Sequence, residues 1–361
     1  MTNDTGILPG QRLCGRGADT NRAGRFEVTT RVAWDDGWDI AEEEQVVRTE
    51  VRLERPRSAL TYNRSPDLPF DRSINPYRGC EHGCIYCYAR PSHAFLNLSP
   101  GLDFETRLIA RPGIAAVLED ELRRPSYQVQ PIAIGTNTDP YQPVERDMGL
   151  MREILGILQS FRHPVWITTR GTTVERDIDL LAPMAADGLA AVSVSVTTLD
   201  DSLARKMEPR APAPARRLQM IRRLADAGIP VRIQVSPLIP ALTDHELETV
   251  MEAGRDAGAA HANSIPLRLP LEVAALFRGW LEATFPDRAA RVMGRVRELH
   301  GGRDYDPAFG TRMTGQGLWA DLIHKRADLT RKRLGLGSGL PPLRTDLFSP
   351  PPRSGDQLAL F

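Results

Sequence analysis

Three of the four cysteines lie within eight residues of one another, at Cys80, Cys84 and Cys87, and the fourth is Cys14. The Cys-x3-Cys-x2-Cys spacing presents three thiolates to one point and offers no fourth. Iron–sulfur clusters that only transfer electrons, and closed structural zinc sites, usually have four protein ligands. The loop therefore predicts an iron–sulfur cluster with one iron left open to a ligand that is not protein.

Two alternatives for this loop stay open. A zinc ion bound by the three cysteines and by His82 or His93 would make a non-catalytic, metal-stabilised binding module. Disulfides would leave one thiol of the loop unpaired, and nothing in the sequence indicates secretion. The sequence that flanks the cysteines favours the iron–sulfur cluster.

The composition of the 361 residues is that of an ordinary globular protein, with 41% hydrophobic and 25% charged residues. The 46 basic and 46 acidic residues cancel, so only local patches could attract nucleic acid or a membrane. Residues 1–10 lack the apolar stretch of a signal peptide, and no run reaches the length of a membrane span. Together with the clustered cysteines, these features predict a cytoplasmic protein.

Strand and helix patterns alternate from about Ser73, which predicts βαβ units and a parallel sheet. Apolar strands are predicted to end at Thr136, Thr169, Thr197, Ser236 and Pro266. Helices are predicted over 146–161, 174–186, 214–227, 243–258, 271–285, 288–300 and about 314–334. With the strand of the cysteine loop placed first, six strands predict an α/β fold, a partial (β/α)6 TIM barrel. Its chemistry should lie at the carboxyl ends of the strands.

The chain divides into three parts by composition. Residues 1–57 form a polar N-terminal extension with one strand-like patch over 46–53, and residues 58–334 form the barrel core with its C-terminal helices. Residues 335–361 begin with a Gly/Pro-rich stretch, which is typical of a flexible linker, and end in a C-terminal peptide.

Polar side chains cluster after the second and third predicted strands. Thr136, Asn137 and Asp139 offer more hydrogen-bonding groups than a turn needs, although a polar loop capped by Asp139 is the alternative. Arg170 follows the third strand, where its guanidinium suits a carboxylate ligand. A surface ion pair with Glu175 or with Asp177 is the alternative for Arg170.

Hydroxyl side chains alternate with apolar residues in the fourth strand, at Ser193 and Ser195. Parallel strands that are buried on both faces are usually apolar throughout. One face of this strand is therefore predicted to meet a polar ligand, with hydroxyls packed inside the barrel as the alternative.

Two groups of basic residues would suit a phosphate backbone if both faced the barrel mouth. The first group comprises Lys206, Arg210, Arg216, Arg217, Arg222 and Arg223, and the second comprises Lys325, Arg326, Arg331, Lys332 and Arg333. Solvated helix faces are the alternative interpretation of both groups.

From about Ser73 to Pro240 the chain resembles the branch of the radical S-adenosylmethionine (SAM) superfamily that includes spore photoproduct lyase, the DNA repair photolyase-like branch. The motifs behind the resemblance lie at 75–91, 138–145, 208–210 and 236–240. The first is the most specific, because it contains the cysteine spacing and the aromatic Tyr86 just before the last cysteine.

The resemblance implies a lyase-like enzyme with a 4Fe–4S cluster on Cys80, Cys84 and Cys87 and with SAM on the open iron. One electron, from a donor of the flavodoxin or ferredoxin type, would cleave SAM to a 5′-deoxyadenosyl radical that abstracts hydrogen from a substrate. The resemblance implies a nucleic-acid substrate, as in DNA repair. A peptide, a protein and a small molecule are the alternatives.

The resemblance also implies which residues hold SAM. The predicted contacts are Tyr86 beside the cluster, Thr136, Asn137 and Asp139 at the methionine amino group, Arg170 at the carboxylate, and Ser193 and Ser195 at the ribose.

One departure from the family concerns the quenching of the substrate radical. Spore photoproduct lyases use a further cysteine after the cluster motif to return hydrogen, and this chain has no cysteine after Cys87. Tyr88, Tyr141 and Cys14 are the candidates to replace it. Repair of the spore photoproduct itself is therefore not expected.

The C-terminal residues Gln357 to Phe361 resemble the bacterial sliding-clamp-binding peptide. Leucine and phenylalanine anchors on a Gly/Pro tether suit docking into an apolar groove, although an apolar terminus without a partner is the alternative. This peptide predicts the sliding clamp, and with it DNA, as partners.

Overall fold

The computed structural model of the chain describes residues 15–22, 24–26, 47–339 and 341–353. Within them, no helix has the length and apolar character needed to cross a membrane. Cys14 and the peptide from Gln357 to Phe361 lie outside the described residues.

In the described part of the chain, ten strands form two sheets. The strands are β1 (Glu50–Leu53), β2 (Leu60–Tyr62), β3 (Arg72–Ile74), β4 (Tyr77–Arg78), β5 (Arg107–Ala110), β6 (Ile132–Ile134), β7 (Val165–Thr169), β8 (Ala190–Ser195), β9 (Val231–Leu238) and β10 (His261–Pro266).

Among the same described residues, eleven α-helices and three 3-10 helices connect and cover the strands. The α-helices are α1 (Asp103–Thr106), α2 (Ile114–Leu122), α3 (Glu145–Met148), α4 (Leu150–Ser160), α5 (Ile178–Ala186), α6 (Asp201–Met207), α7 (Pro214–Asp226), α8 (Leu247–Asp256), α9 (Glu272–Thr284), α10 (Pro286–Leu299) and α11 (Leu318–Leu334). The 3-10 helices span Arg90–Leu96, Thr172–Asp177 and Asp244–Glu246.

The larger sheet has the strand order β10-β9-β8-β7-β6-β3-β2. Six of its strands, β3 and β6 to β10, are parallel, and β2 pairs antiparallel with β3 at one edge. The six parallel strands with their intervening helices confirm the predicted α/β architecture of a partial barrel.

The strand ends differ by up to two residues from the prediction. The strands predicted to end at Thr136 and Thr197 end at Ile134 and Ser195 instead. At the first of these, Gly135 has a φ of +89°, and a Cβ there would lie 1.9 Å from the Thr168 carbonyl oxygen. The positive φ of Gly135 turns the chain out of the strand, and the nearby carbonyl leaves no room for a side chain. Thr136 therefore belongs to the loop above the sheet.

The smaller sheet has the order β1-β5-β4 and was not predicted as a sheet. Strand β1 lies within the strand-like patch that the sequence indicated, and it pairs parallel with β5. Strand β4 comes directly before the cysteine loop and pairs antiparallel with β5. This sheet thus fixes where the cysteine loop leaves the barrel.

The outer face of the larger sheet is apolar. Val192 and Val194 of β8 and Ile233 of β9 are fully buried in a core that also contains side chains of α4, α5, α7 and α8. Burial of such aliphatic side chains stabilises the fold by about 2 kcal/mol each. The opposite, concave face of the same strands contains the polar residues.

The segment after α11 returns to the sheet. Leu336 is buried, the Gly337 amide donates to the Ala260 carbonyl at 3.0 Å, and the Ala262 amide donates to the Gly337 carbonyl at 2.9 Å. Further on, the Arg344 amide donates to the Gly188 carbonyl at 3.0 Å. The division of the chain into three parts at residues 57 and 334 stays a prediction.

Candidate active site

The cysteine loop bends at two glycines. Gly79 and Gly83 have φ angles of +79° and +67°, in the left-handed region that favours glycine. A Cβ at Gly79 would lie 2.7 Å from Leu108 Cδ2 and 2.9 Å from the Phe104 carbonyl oxygen. The loop therefore needs glycine at this position for its conformation and for its packing.

The three thiols of the loop are unpaired, with Cys80 and Cys84 buried and Cys87 partly exposed. Burial raises the pKa of the Cys84 thiol to about 12, although the nearby Arg170 opposes the shift. Burial, followed by the charges of Asp139 and of the other two cysteines, raises the pKa of Cys80 well above its usual value. A metal centre that binds these sulfurs must displace their protons.

The donor set fits an iron–sulfur cluster better than one metal ion. Within the described residues, no three His, Cys, Asp or Glu side chains are arranged to hold a single ion. Both histidines of the zinc alternative have other neighbours: His82 Nδ1 lies 3.3 Å from Asp139 Oδ2, and His93 Nε2 lies 3.0 Å from the Arg107 carbonyl oxygen. Three thiolates on one loop match the thiolate ligation of such clusters.

Gln142 bridges the cysteine loop from the segment that follows β6. Its Oε1 accepts from the Glu81 amide at 2.9 Å, and its Nε2 donates to the Gly79 carbonyl at 3.1 Å. Thr138 of the same segment donates from its hydroxyl to the Tyr77 carbonyl at 3.1 Å. This polar segment, predicted from sequence to contact SAM, therefore also holds the loop that bears the cysteines.

A buried carboxylate, Glu105, joins the N-terminal segment to the same loop. It accepts from the amides of Gly17 and Ala18 at 2.9 and 2.8 Å and forms an ion pair with the fully buried Arg90. Arg90 Nε in turn donates to the Cys84 carbonyl at 3.0 Å. Charge-assisted contacts of this kind hold the loop backbone in place before any cluster binds.

Arg170 lies beside the second cysteine. Its Nη1 is 3.0 Å from Cys84 Sγ, 2.7 Å from the Tyr86 hydroxyl and 2.8 Å from Glu208 Oε1. Glu208 also pairs with the buried Arg217 and accepts from the Tyr86 hydroxyl. Burial disfavours the charged form of Glu208, but Arg217 and Arg170 outweigh burial and lower its pKa to about 2. The alternative for Arg170, an ion pair with Glu175 or Asp177, is not formed, since Glu175 pairs with Arg216 and Arg223 and Asp177 pairs with Arg152 and Arg176.

Asp139 is surrounded by protein donors. Its carboxylate accepts from Thr169 Oγ1 at 2.6 Å, from the Arg170 amide at 2.8 Å and from the Tyr141 amide at 2.9 Å. Burial would raise the pKa of Asp139, but His82 and these hydrogen bonds lower it to about 2. This carboxylate orders the ends of β6 and β7 rather than presenting free oxygens to a ligand.

Thr136 and Asn137 are partly exposed at the same strand end. The Thr136 carbonyl accepts from the Tyr88 hydroxyl, and among the described residues the Asn137 side chain has no hydrogen-bond partner. Of the residues predicted for the methionine amino group, these two have side chains that can still accept a ligand.

Ser193 and Ser195 lie on the concave face of the sheet and are 0% and 4% exposed. Ser193 Oγ accepts from Arg232 Nε at 3.1 Å, and Ser195 pairs in register with Gln234 of β9. Ser195 is two residues nearer the carboxyl end of the strand, where the cysteine loop lies.

The candidates for radical quenching have different surroundings. Tyr88 is 46% exposed beside Thr136, and Arg268 lies over its ring at 5.1 Å. Tyr141 is buried, and its hydroxyl donates to Asp177 Oδ2 at 3.1 Å. Only Tyr88 combines exposure with a position at the strand ends, since Cys14 is outside the described residues.

The two predicted basic groups do not form a free basic surface. Arg216 and Arg223 both pair with Glu175, and Arg326 pairs with Glu248. The other ion pairs of these groups are Arg210–Glu81, Arg217–Glu208, Arg331–Asp328 and Arg333–Glu252. Most of the positive charge that the sequence suggested for phosphates is therefore compensated within the protein.

Sequence reasoning missed the buried partners of the site, above all Glu208, Gln142 and Glu105. Glu208 belongs to the motif at 208–210, and most charged residues over 205–223 are basic. An acid in such a basic stretch was the available indication that a buried carboxylate compensates two arginines.

Comparisons with known proteins identify the family and the fold. The model of the Radical SAM superfamily matches residues 74–253. An uncharacterized protein of Mycobacterium tuberculosis is 38% identical over 256 residues, covering 70% of this chain and 74% of its own length. An uncharacterized protein of Methanocaldococcus jannaschii is 27% identical over 173 residues, covering 48% of this chain and 62% of its own.

Among solved structures, spore photoproduct lyase complexed with the dinucleoside spore photoproduct has a TM-score of 0.59 and 13% identity. The match covers 80% of this chain and 81% of that one. At this identity the likeness shows the shared fold.

Proposed function

Because the chain belongs to the radical SAM superfamily of enzymes, which use a 4Fe–4S cluster and SAM, we propose that it reductively cleaves SAM and acts on a nucleic-acid substrate. Cys80, Cys84 and Cys87 would hold the cluster. When bound, the cluster and SAM supply a 5′-deoxyadenosyl radical for hydrogen abstraction.

The contact between Arg170 and Cys84 is the observation that most supports this proposal. A guanidinium 3.0 Å from the sulfur favours the thiolate, and Glu208 fixes the guanidinium there. Only Nη1 of Arg170 has partners within the described residues, so Nε and Nη2 can donate to a carboxylate. We assign that role to the SAM carboxylate.

The remaining predicted contacts have separate roles in the proposal. Thr136 and Asn137 would bind the methionine amino group. The Asp139 carboxylate would position Arg170 by accepting a hydrogen bond from the Arg170 backbone amide. Tyr86 would orient Arg170 beside the cluster, and Ser195 would face the ribose. The Ser193 hydroxyl accepts a hydrogen bond from Arg232, so it would bind the ribose only after that hydrogen bond is broken.

A nucleic-acid substrate is supported by the fold shared with spore photoproduct lyase and by the C-terminal peptide. A peptide or small-molecule substrate is the rival. Steeply salt-dependent binding of the protein to single- or double-stranded DNA would favour nucleic acid, because phosphate neutralisation releases counterions. Binding that does not change with salt would favour the rival.

The central experiment is anaerobic purification followed by reduction with dithionite in the presence of SAM. We expect a brown protein that bleaches on reduction and yields 5′-deoxyadenosine. A colourless, zinc-containing protein that leaves SAM intact would contradict the proposal. A flavodoxin or ferredoxin should replace dithionite as the electron donor.

Quenching of the substrate radical needs a hydrogen-atom donor from the protein. We propose Tyr88, which lies next to Cys87 in sequence and reaches Thr136 with its hydroxyl. A Tyr88→Phe variant should still form 5′-deoxyadenosine in the absence of substrate. It should turn over substrate more slowly than the wild type if the hydroxyl returns the hydrogen atom.

The partner proposed for Gln357 to Phe361 is the bacterial sliding clamp. Deletion of the residues after Gly355 should abolish binding to the clamp in a pull-down and leave SAM cleavage unchanged. Unchanged clamp binding would end this part of the proposal.

A further inference from the structure

The concave face of the parallel strands carries a row of polar residues across β7 to β10. Pairing places Thr168, Ser193, Arg232 and His261 in one row across β7 to β10. Buried parallel strands are usually apolar on both faces. A row of this kind therefore indicates that the concave face lines a chamber for a polar ligand.

Arg232 is the unusual member of this row. Its Nε donates to Ser193 Oγ at 3.1 Å, and within the described residues its side chain has no other hydrogen bond and no ion pair. The six parallel strands contain no aspartate or glutamate. Burial alone lowers the pKa of Arg232, to about 10. A cation that loses water without gaining a carboxylate destabilises the fold unless a ligand supplies the negative charge.

Neighbouring polar atoms on the same face also lack partners. In the described part of the chain, Trp166 Nε1 and Asn263 Oδ1 are buried without a hydrogen bond. Asn263 pairs with Gln234, the next concave residue of β9 after Arg232. The free guanidinium nitrogens and the indole N–H are donors, which suit an anionic group with several oxygens, whereas Asn263 Oδ1 is an acceptor that suits a hydroxyl or amino group of the same ligand.

We propose that Arg232 binds an anionic oxygen group of the substrate, a phosphate or a carboxylate, inside the barrel. The inference rests on the proposed function, because that function makes the concave face the substrate chamber. It adds the class of group that the chamber recognises and the residue that recognises it.

This anion would be distinct from the SAM carboxylate. Arg232 is the second residue of β9, near the amino end of the strand, whereas Arg170 follows the last residue of β7 at the carboxyl end. Arg170 already has Glu208 as a counterion, and Arg232 has none within the described residues. The two arginines therefore lie at opposite ends of their strands, and only the charge of Arg170 is compensated by a carboxylate.

The test compares the cluster-loaded wild type with Arg232→Gln and with Arg205→Gln, a control that removes an exposed arginine of α6. The probes are inorganic phosphate, dithymidine monophosphate and acetate at constant ionic strength, with binding measured by calorimetry. The wild type and the control should bind at least one probe. Arg232→Gln should bind it roughly tenfold or more weakly, since a charge-assisted hydrogen bond is lost. The preferred probe distinguishes phosphodiester, free phosphate and carboxylate.

A second variant separates ligand binding from a structural role. Without any probe, Arg232→Met should raise the melting temperature, because it removes a half-buried charge that has no counterion among the described residues. A lower melting temperature would show that Arg232 stabilises the fold and would overturn the proposal. Equal probe binding by the wild type and Arg232→Gln, or no binding by the wild type, would overturn it as well.

SAM serves as the control for the proposed function. Arg232→Gln should bind SAM and form 5′-deoxyadenosine without substrate as the wild type does. Loss of SAM binding in this variant would mean that the anion is the SAM carboxylate, which contradicts the inference. Failure of the wild type itself to cleave SAM would instead contradict the proposed function.

Discussion

The two ends of the parallel sheet bury polar groups in opposite ways. At the carboxyl end, Glu208 is 2% exposed and is compensated by Arg170 and Arg217. At the amino end, His163 is 0% exposed, and it contacts the Tyr127 hydroxyl at 2.7 Å and the ring of Phe348. Glu208 is thus a buried charge that two arginines compensate, whereas His163 is a titratable group that burial keeps neutral.

This difference separates function from stability. Buried charges are expensive unless they are paired, and perturbed charged groups concentrate at functional sites. In barrels of this type, chemistry lies at the carboxyl end of the strands, whereas the amino end contributes stability. The following changes should therefore affect SAM cleavage at one end and only the free energy of unfolding at the other.

The largest effect is expected from Cys84→Ala. Loss of one of three thiolates should prevent stable cluster binding, so iron content, brown colour and SAM cleavage should all disappear. Cys14→Ala removes the one cysteine outside the loop and provides the matched control. If Cys14→Ala lost the colour and Cys84→Ala kept it, the assignment of the loop would be wrong.

Glu208→Gln should be the most destabilising change of a single hydrogen-bonding group. It leaves two buried guanidinium groups without a counterion and should lower the free energy of unfolding by about 4 kcal/mol. Glu175→Gln is the control, because Glu175 also pairs with two arginines, but their side chains are 35% and 59% exposed and remain hydrated, so about 1 kcal/mol is expected. Anaerobic urea denaturation measures both, and equal losses would refute the contrast.

The amino end should show its effect in acid. Burial lowers the pKa of His163 to about 4, against about 6.5 in the unfolded chain. The contribution of neutral His163 to the free energy of unfolding is fully present above about pH 6.5. It is lost as the pH falls towards 4, because in this range the histidine binds a proton in the unfolded chain but not in the folded one. Between about pH 7 and pH 5, the wild type should lose about 2 kcal/mol relative to His163→Gln. A pH-independent difference between the two proteins would contradict this account.

The smallest effect is expected from Phe348→Ala. Phe348 is half-buried against Phe161 and Tyr127, so its truncation should cost about 1.5 kcal/mol, less than at a fully buried site. The rate of 5′-deoxyadenosine formation should not change. A slower rate in the folded variant would mean that the two ends of the sheet are coupled.

Much of the fold followed from local pattern. Alternating strands and helices predicted six parallel strands, and β7 and β10 end at the predicted Thr169 and Pro266. The predicted helix over 146–161 is divided in the structure, because Gly149 has a φ of +66° between α3 and α4. The small sheet of β1, β4 and β5 was missed because its strands have two to four residues and pair across a long stretch of chain.

The candidate site was predictable in its residue types and less so in their pairing. Arg170 was placed correctly at a strand end, but its partner, Glu208, lies 38 residues away in sequence. Asp139 was predicted to face SAM, and its oxygens are instead engaged by His82, Thr169 and the Arg170 amide. Hydrogen-bonding capacity can be read from a side chain, but its satisfaction depends on neighbours that only folding brings together.

The sequence by itself determined the cysteine loop. Spacing acts over a few covalent bonds, so the prediction that Cys80, Cys84 and Cys87 share one metal centre needed no tertiary information. Tertiary structure alone decided which charges are compensated. Folding pairs Glu208 with Arg170 and Arg217. Among the described residues, the Arg232 side chain has a hydrogen bond to Ser193 and no ion pair. The reason is physical: the energy of a buried charge depends on the atoms around it, and those come from distant parts of the chain.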